Sequence, residues 1–373
     1  MKPYRIALYN LTTTTKSGGI ETFQIGLARA LARRGHTVHL YGGEPSAGFL
    51  PPQGVEVRTY PFIPRQRFPD LGTRFRKFAE RLSFARHAGK DLVRGKYDLI
   101  LVSKPFDLPA LLRASRCSGA RAVFHSGGTE FFPGYGLLVR RLDRFLACSA
   151  HNAARIREYC GVEPQVLWNG VDTERFRPLP RNGQLAERYG IREEEAVTVS
   201  ACRLVGLKGI RYGIEAVRML ADEGCRVKYL IAGGGPERPR LEAFSRELGT
   251  TGRILFTGEF PNDQLPELYS LADAAVFPTV GEEAFGISIA EALSCGVPVV
   301  ATRVGGIPEV VPDGGGLLVP PRDGTAIARV LREWLPDPAR RRRMGEAGRR
   351  HVEANFSWDR IGERFETLTG LAQ

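Results

Sequence analysis

The sequence repeats one local plan twice, and this repeat restricts the possible folds more than any other feature. In the first copy, an apolar segment (Ile6 to Tyr9) leads through a glycine-containing loop into a helix, and Gly35 precedes the next strand. In the second copy, the segment from Val197 to Ala201 is followed by a loop, a helix and Gly224. Glycine just past a helix end accommodates the left-handed backbone that terminates the helix. Strands alternating with helices predict parallel sheets with right-handed crossovers. We therefore expect an α/β protein with two Rossmann-like domains facing each other across a cleft.

Chain length and a break in this pattern predict the domain boundaries. The chain has 373 residues, more than one typical core, which favours two domains. Prolines and glycines interrupt regular structure between Asn169 and Asn182, as they do in linkers. We expect domains over 1–175 and 176–355. The amphipathic segment within 356–373 is expected to form a helix that returns to the first domain.

Composition and cysteine usage narrow the class of protein. Hydrophobic residues make up 43% and charged residues 25% of the chain, as in ordinary soluble proteins. No apolar run approaches the roughly 20 residues that a membrane span needs, and the N-terminus leads straight into a strand rather than a signal peptide. The six cysteines are scattered, which indicates reduced thiols in the cytoplasm. Without an Asp-x-Asp motif or a His/Cys cluster, we expect no metal and no other cofactor.

The net charge of +12 suggests an anionic partner, and basic residues are concentrated between Arg58 and Lys96. Apolar residues recur there at helical spacing, with basic residues between them: Leu71, Phe75, Phe78, Leu82 and Ala85. The pattern over 71–90 is typical of a helix on an anionic membrane surface, which would make the protein peripheral on the inner face of the cytoplasmic membrane. An ordinary core-facing helix with a solvated basic face has the same pattern. No nucleic-acid-binding module is recognisable, so nucleic acid is not expected as a partner.

A basic loop follows the first strand of the second copy. Arg203 and Lys208 lie between that strand and the next helix, with Gly209 after them. Open α/β sheets bind their ligands at this position, beyond the carboxyl ends of the strands. Two cations there are suited to a diphosphate, although a solvated basic loop would have the same composition.

A second element carries two acids eight residues apart. Glu283 is followed by Ala284, Phe285 and Gly286, and an apolar run then leads to Glu291. We expect a helix to begin after the Phe-Gly turn, so that its first free N–H groups can meet a phosphate. A loop carboxylate before the helix can accept hydrogen bonds from sugar hydroxyls, and one two turns further on can reach a ribose. Acids at this spacing also occur by chance; the Phe-Gly turn and the following Gly-Val-Pro strengthen the interpretation.

Two glycine loops and one histidine are further candidates. Ser17, Gly18 and Gly19 precede a helix, where they offer N–H groups or form only a flexible loop. Gly234 lies in a Gly-Gly-Gly-Pro turn that lacks the spacing of a dinucleotide fingerprint, so a tight turn opening a nucleotide pocket is the better interpretation. His125 stands at a strand end beside glycines, where it can touch a substrate sugar or have a purely structural role.

Together these segments resemble the retaining glycosyltransferases of family 4, which have the GT-B fold. The resemblance covers nearly the whole chain and is most specific from Ser200 to Asp323. The matching segments carry the glycine turns, cations and acids of the family: Gly18–Glu21, Cys202–Gly209, Ala232–Pro236, Glu283–Glu291, Gly305–Glu309 and Gly315–Val319. The resemblance implies that 1–175 binds the acceptor and that 176–355 binds a nucleotide sugar.

The resemblance also implies roles for individual residues. Arg203 and Lys208 would hold the donor diphosphate, Glu283 the transferred sugar and Glu291 the ribose. His125 matches the cleft histidine of the family and would be catalytic together with Arg203, Lys208 and Glu283. Further donor contacts would come from Gly18, Gly19, Gly234, Phe285, Gly286, Ile287 and Ala284, where the family usually has glycine.

The reaction follows from the same resemblance. It would be a metal-independent hexosyl transfer with retention, from a UDP- or GDP-linked sugar to a glycan or a lipid-linked acceptor. Such reactions build cell-envelope polysaccharide, lipopolysaccharide or glycolipid. The departing phosphate would take the acceptor proton, so that no protein base is needed, and the two cations would stabilise the charge developing on that phosphate.

Three other classes of protein remain as alternatives. A nucleotide-sugar epimerase of GT-B fold would need additional catalytic acids in the first domain, and none is convincingly placed. A nicotinamide oxidoreductase would need a fuller glycine fingerprint and an acidic residue about 20 positions later. A non-catalytic carbohydrate-binding relative would tolerate loss of Arg203, Lys208 or Glu283, and all three are present.

Overall fold

The computed structural model describes residues 2–16, 18–46 and 49–372. The chain divides into two compact units. Unit 1 combines Met1–Gly170 with Trp358–Gln373, and unit 2 is Val171–Ser357. Each unit contains one parallel sheet, so the α/β architecture predicted from the repeat is confirmed.

Unit 1 is built on seven strands. They are β1 Arg5–Tyr9, β2 Thr37–Gly43, β3 Glu56–Tyr60, β4 Leu99–Val102, β5 Arg121–Ser126, β6 Arg144–Ala147 and β7 Gln165–Val166. All pair in parallel, in the order β3-β2-β1-β4-β5-β6-β7. The α-helices of this unit are α1 Gly19–Arg33, α2 Thr73–Arg94, α3 Leu108–Ser118, α4 Tyr135–Val139, α5 Ala150–Cys160 and, from the far end of the chain, α14 Trp358–Thr369.

Unit 2 is built on six strands. They are β8 Ala196–Ala201, β9 Val227–Ala232, β10 Ile254–Gly258, β11 Ala274–Phe277, β12 Val299–Thr302 and β13 Gly316–Val319. All pair in parallel, in the order β10-β9-β8-β11-β12-β13. The α-helices are α6 Gly183–Arg188, α7 Ile210–Asp222, α8 Arg238–Glu247, α9 Leu265–Tyr269, α10 Ile287–Ser294, α11 Ile307–Val310, α12 Gly324–Trp334 and α13 Pro338–Asn355.

The central strands β4 and β11 are apolar and buried along their whole length, because both faces of the sheet are covered there. In β1, Ile6 and Leu8 face one core cluster, and Ala7 and Tyr9 face the other. All four side chains are fully buried. This two-sided burial explains why the sequence shows continuous apolar runs here rather than alternation.

The C-terminal helix α14 packs on α1 of unit 1. The indole of Trp358 lies against Gly26 and Gly170, where any side chain would overlap the ring. A buried polar cluster fixes the other end of the contact. The Arg34 guanidinium donates two hydrogen bonds of 2.7 Å to the Glu366 carboxylate, and His36 Nε2 lies 2.9 Å from the same group.

The structure of α2 does not fit one of the two interpretations of the basic region, the ordinary core-facing helix. Its core face is formed by Phe84, Ala88 and Leu92, which are fully buried. Of the five apolar residues on which the prediction rested, Ala85 is half-buried. The other four are exposed: Leu71, just before the helix, by 69%, and, on a different face of the helix, Phe75 by 40%, Phe78 by 40% and Leu82 by 59%. The core-facing interpretation is therefore wrong for these four residues, because other apolar positions of the same helix fill the core.

Across residues 2–16, 18–46 and 49–372, no helix combines the length and the apolar character that crossing a bilayer requires.

Candidate donor site in unit 2

The sheet order of unit 2 places two loops side by side. Successive strands are added on one side of β8 up to β10, and the chain then returns to add β11 on the other side. The loops that leave the carboxyl ends of β8 and β11 therefore lie side by side, and such a switch point is where open α/β sheets bind ligands. The loop after β8 carries Arg203 and Lys208, and the loop after β11 carries Glu283.

Backbone contacts hold these two loops together. The carbonyl oxygen of Leu207 accepts hydrogen bonds from the N–H groups of Val280 (2.8 Å) and Gly281 (3.1 Å). Gly209 has a φ of +62°, and a Cβ there would overlap the carbonyl oxygen of Pro278. Only glycine accommodates both the positive φ and this close approach. The sequence therefore fixes the position of Lys208 relative to the β11 loop.

The charged groups of the two loops meet in the structure. The Lys208 ammonium donates a hydrogen bond to Oε2 of Glu283. Arg203 is exposed, and within the described part of the chain it forms no ion pair. The neighbouring thiol of Cys202 is neutral at physiological pH, because burial raises its pKa to about 11. The loops thus offer two cations and one carboxylate, and no activated thiol.

The backbone after Glu283 presents the start of a helix. Gly286 adopts a φ of +101°, and α10 begins at the next residue. The first N–H groups of a helix lack partners within it and carry its positive dipole end. A third loop holds Glu283 in place, since the Gly306 N–H donates to its carbonyl oxygen at 2.8 Å. The start of α10 follows Glu283 closely in the chain, and binding of an anion there beside Lys208 remains a prediction.

Glu291 is the fifth residue of α10 and is buried. Burial raises the pKa of its carboxyl to about 7, while the charge of Arg175 and a hydrogen bond from Asn262 act in the opposite direction. The Arg175 guanidinium also donates to Oδ1 of Asn262 at 2.9 Å. Sequence reasoning missed Arg175, because it lies in the segment assigned to the linker. Asn262 belongs to the loop after β10, at the same end of the sheet.

The glycine turn after β9 supports the β8 loop. The Leu204 N–H donates to the carbonyl oxygen of Gly234 at 2.7 Å, and the Gly233 N–H donates to Gly258 at 2.7 Å. These bonds tie the loops after β8, β9 and β10 to one another. Gly234 therefore lies beside the basic loop, and its contact with a nucleotide remains a prediction.

The remaining predicted residues belong to unit 1. Gly18 caps α1 and Gly19 is its first residue, while Ser17 lies outside the described residues. The His125 ring is buried, stacks on Phe23 with centroids 3.9 Å apart, and places Nε2 2.9 Å from the carbonyl oxygen of Leu167. Burial lowers its pKa to about 4, so the imidazole is neutral at physiological pH. Roles for these residues toward a substrate remain predictions.

Comparison with known proteins covers both units. Residues 183–351 match the family model "Glycosyl transferases group 1", and residues 17–175 match "Glycosyltransferase Family 4". A GDP-mannose-dependent alpha-(1-6)-phosphatidylinositol monomannoside mannosyltransferase of Mycolicibacterium smegmatis is 38% identical over 276 residues, covering 69% of this chain and 72% of that protein. A D-inositol 3-phosphate glycosyltransferase of Streptomyces bingchenggensis is 28% identical over 400 residues, covering 96% of this chain and 87% of the relative.

Solved structures of other proteins have the same fold as this chain. Sucrose-phosphate synthase from Thermosynechococcus elongatus has a TM-score of 0.82 at 22% identity, covering 99% of this chain and 98% of its own. Anabaena HepE in complex with UDP-glucose has a TM-score of 0.80 at 22% identity, covering 98% and 100%. These identities support the fold alone. The family models and the relatives show that the chain belongs to the glycosyltransferases described as family 4 and as group 1, and the solved structures show its GT-B fold.

Proposed function

We propose that this glycosyltransferase moves a sugar from a nucleoside diphosphate to a hydroxyl acceptor with retention of configuration. The observation that carries the proposal is the meeting of Lys208 and Glu283 at the switch point of unit 2, beside the start of α10. A diphosphate needs cations and N–H donors, and a sugar needs a carboxylate that accepts from its hydroxyls. These groups lie on two adjoining loops, the ones after β8 and β11.

In this proposal the donor is held as follows. Lys208 and Arg203 bind the diphosphate, and the N–H groups of Phe285, Gly286 and Ile287 meet the same anion, with the small Ala284 leaving room. Glu283 accepts hydrogen bonds from the transferred sugar, and Glu291 from the ribose. Gly18, Gly19 and His125 of unit 1 are proposed as further contacts, and Gly234 lines the nucleotide pocket.

The chemistry requires charge stabilisation more than a protein base. As the bond to the sugar breaks, negative charge accumulates on the departing phosphate, and two preorganised cations stabilise that charge. The phosphate then takes the proton of the acceptor hydroxyl on the same face of the sugar, which retains the configuration. Lys208 and Arg203 supply the positive charge that a divalent cation would otherwise provide, so we propose a metal-independent reaction without a cofactor.

The names of the relatives suggest which substrates to test first. Three relatives, from Mycolicibacterium smegmatis, Corynebacterium glutamicum and Mycobacterium tuberculosis, are named as GDP-mannose-dependent enzymes acting on phosphatidylinositol monomannosides. Others are named D-inositol 3-phosphate glycosyltransferases. We therefore place GDP-mannose first among donors and UDP-sugars second. A glycolipid is our first acceptor, and cell-envelope glycolipid synthesis is the corresponding process.

We also propose that α2 brings the enzyme to an anionic membrane surface, consistent with a glycolipid acceptor. Four exposed apolar residues form a stripe that starts just before this helix and continues along it, hereafter the α2 stripe: Leu71, Phe75, Phe78 and Leu82. Exposed basic residues surround it, including Arg74 and Arg86. An apolar stripe that can enter the headgroup region, with a basic rim, is the composition of an interfacial helix.

The α2 stripe can be tested by co-sedimentation with liposomes. Wild-type protein should sediment with vesicles containing anionic lipid and not with neutral vesicles. Changing Phe75, Phe78 and Leu82 together to Ser should abolish sedimentation while circular dichroism shows a folded protein, because these side chains lie outside the core of unit 1. The control is Leu137→Ser, at another site that is 70% exposed. Equal binding by the triple variant and wild type, or no binding at low salt, would refute the membrane role.

The transfer itself is tested by release of free nucleoside diphosphate. Wild-type protein, offered GDP-mannose, UDP-glucose and related donors, should release the diphosphate faster when a glycolipid acceptor is added. Lys208→Ala should lower kcat by about 100-fold or more, the size expected for loss of a group that stabilises transition-state charge. The control Lys2→Ala removes an exposed lysine and should retain normal turnover. Near-normal turnover of Lys208→Ala would contradict the assignment.

A further inference from the structure

Lys208 and Glu283 are partners of each other in the structure. The Lys208 ammonium donates to Oε2 of Glu283, and the two side chains are 22% and 20% exposed. Under the proposed function, Lys208 is a ligand of the diphosphate and Glu283 a ligand of the sugar. Each of these two side chains therefore already has a partner, which a bound donor must replace.

The loops that carry this ion pair do not need to move for it to open. Hydrogen bonds from Val280 and Gly281 to Leu207 join the two loops, and Gly306 holds the backbone of Glu283. The exchange of partners therefore involves only the ends of two side chains. Arg203 is exposed and forms no ion pair in the described ranges, so it can hold a phosphate in either state.

We propose that the Lys208–Glu283 ion pair opens when the donor binds and re-forms after transfer, and that Glu283 thereby promotes release of the nucleoside diphosphate. With the intact donor, the diphosphate replaces Glu283 as the partner of Lys208, and the sugar hydroxyls replace Lys208 as partners of Glu283. After transfer the hydroxyls are gone. A partly buried carboxylate without a partner is unfavourable, so Glu283 takes Lys208 back from the phosphate.

This inference rests on the proposed function, and it adds a specificity that the binding residues alone do not give. The ion pair makes the sugar-free diphosphate a poorer ligand than the donor, because only the donor satisfies both charged groups. The Glu283 carboxylate would therefore make the affinity for the nucleotide sugar higher than the affinity for the diphosphate product. Removing the charge of that carboxylate should strengthen binding of the product specifically.

Calorimetric titration with two matched ligand pairs tests the proposal: GDP with GDP-mannose, and UDP with UDP-glucose. Glu283→Gln keeps the shape of the side chain and removes its charge. We expect it to bind the diphosphate of the productive pair about fivefold more tightly than wild type, the upper range for a partly exposed ion pair. It should not gain affinity for the nucleotide sugar. In a Lys208→Met background, Glu283→Gln should no longer strengthen diphosphate binding.

Glu282→Gln is the matched control, since it removes the same charge from the exposed neighbouring residue. It should change the affinities for diphosphate and donor by the same factor. If Glu283→Gln does the same, or weakens diphosphate binding, the proposal is overturned. Should Glu283→Gln fail to fold, Glu283→Asp, whose shorter side chain weakens the ion pair, must shift the ratio in the expected direction. Failure of wild type to bind either pair would instead reject the proposed function.

Discussion

At the scale of single residues, Glu291 is a carboxyl group whose position does not favour folding. It is buried in α10, and burial raises its pKa from 4.5 to about 7 despite the opposing effects of Arg175 and Asn262. The native state therefore holds the proton more tightly than the unfolded chain does. Its contribution to stability is complete below pH 4.5 and is lost as the pH rises through about 7. A buried acid of this kind is a candidate for function rather than for stability.

Glu291→Gln should therefore stabilise the protein at alkaline pH. The neutral amide resembles the protonated carboxyl, so the free energies of unfolding of variant and wild type should be similar at pH 5. At pH 8 the variant should be more stable by about 2 kcal/mol. Urea denaturation at both pH values measures the difference. A variant that is less stable than wild type at pH 8 would show that the ionised carboxylate is favourable in the fold.

At the scale of elements, the short turn between β8 and α7 positions the candidate site. Gly209→Ala should lower the free energy of unfolding by at least about 2 kcal/mol, because a Cβ there would overlap Pro278 in a strained backbone. Gly206 belongs to the same turn, has no positive φ, and a Cβ there would meet nothing within 4 Å. Gly206→Ala is therefore the control, with a change within about 0.5 kcal/mol. Equal effects of the two substitutions in urea denaturation would contradict this account of the turn.

At the scale of the whole molecule, the two ends of the chain fold together in unit 1. Trp358, Ile361, Phe365 and Leu371 are buried in its core, and their burial is worth more than about 5 kcal/mol in total. Deleting residues 358–373 should therefore reduce hydrogen-exchange protection throughout unit 1 and leave unit 2 protected. Deleting only 372–373 is the control and should change neither unit. Loss of protection in unit 2 alone would contradict the discontinuous division of the chain.

The repeat in the sequence was sufficient to predict both parallel sheets, because strand, loop, helix and glycine followed one another in the same order. The meeting of Lys208 and Glu283 could not be derived from spacing, since it depends on β8 and β11 being neighbours in the sheet. For α2, helical periodicity predicted the helix but not the buried face, because two of its faces are apolar. Arg175 carried no signal, since contact with the surroundings of Glu291 appears only after folding.

The central claim is that the loops after β8 and β11 bind the diphosphate of a nucleotide sugar. The most direct measurement is a crystal structure of the protein soaked with GDP-mannose or UDP-glucose. The claim predicts diphosphate density within hydrogen-bonding distance of Lys208 Nζ and of the first N–H groups of α10, with the sugar against Glu283 and the ribose against Glu291. Nucleotide density elsewhere on the molecule, with the Lys208–Glu283 ion pair still closed, would contradict it.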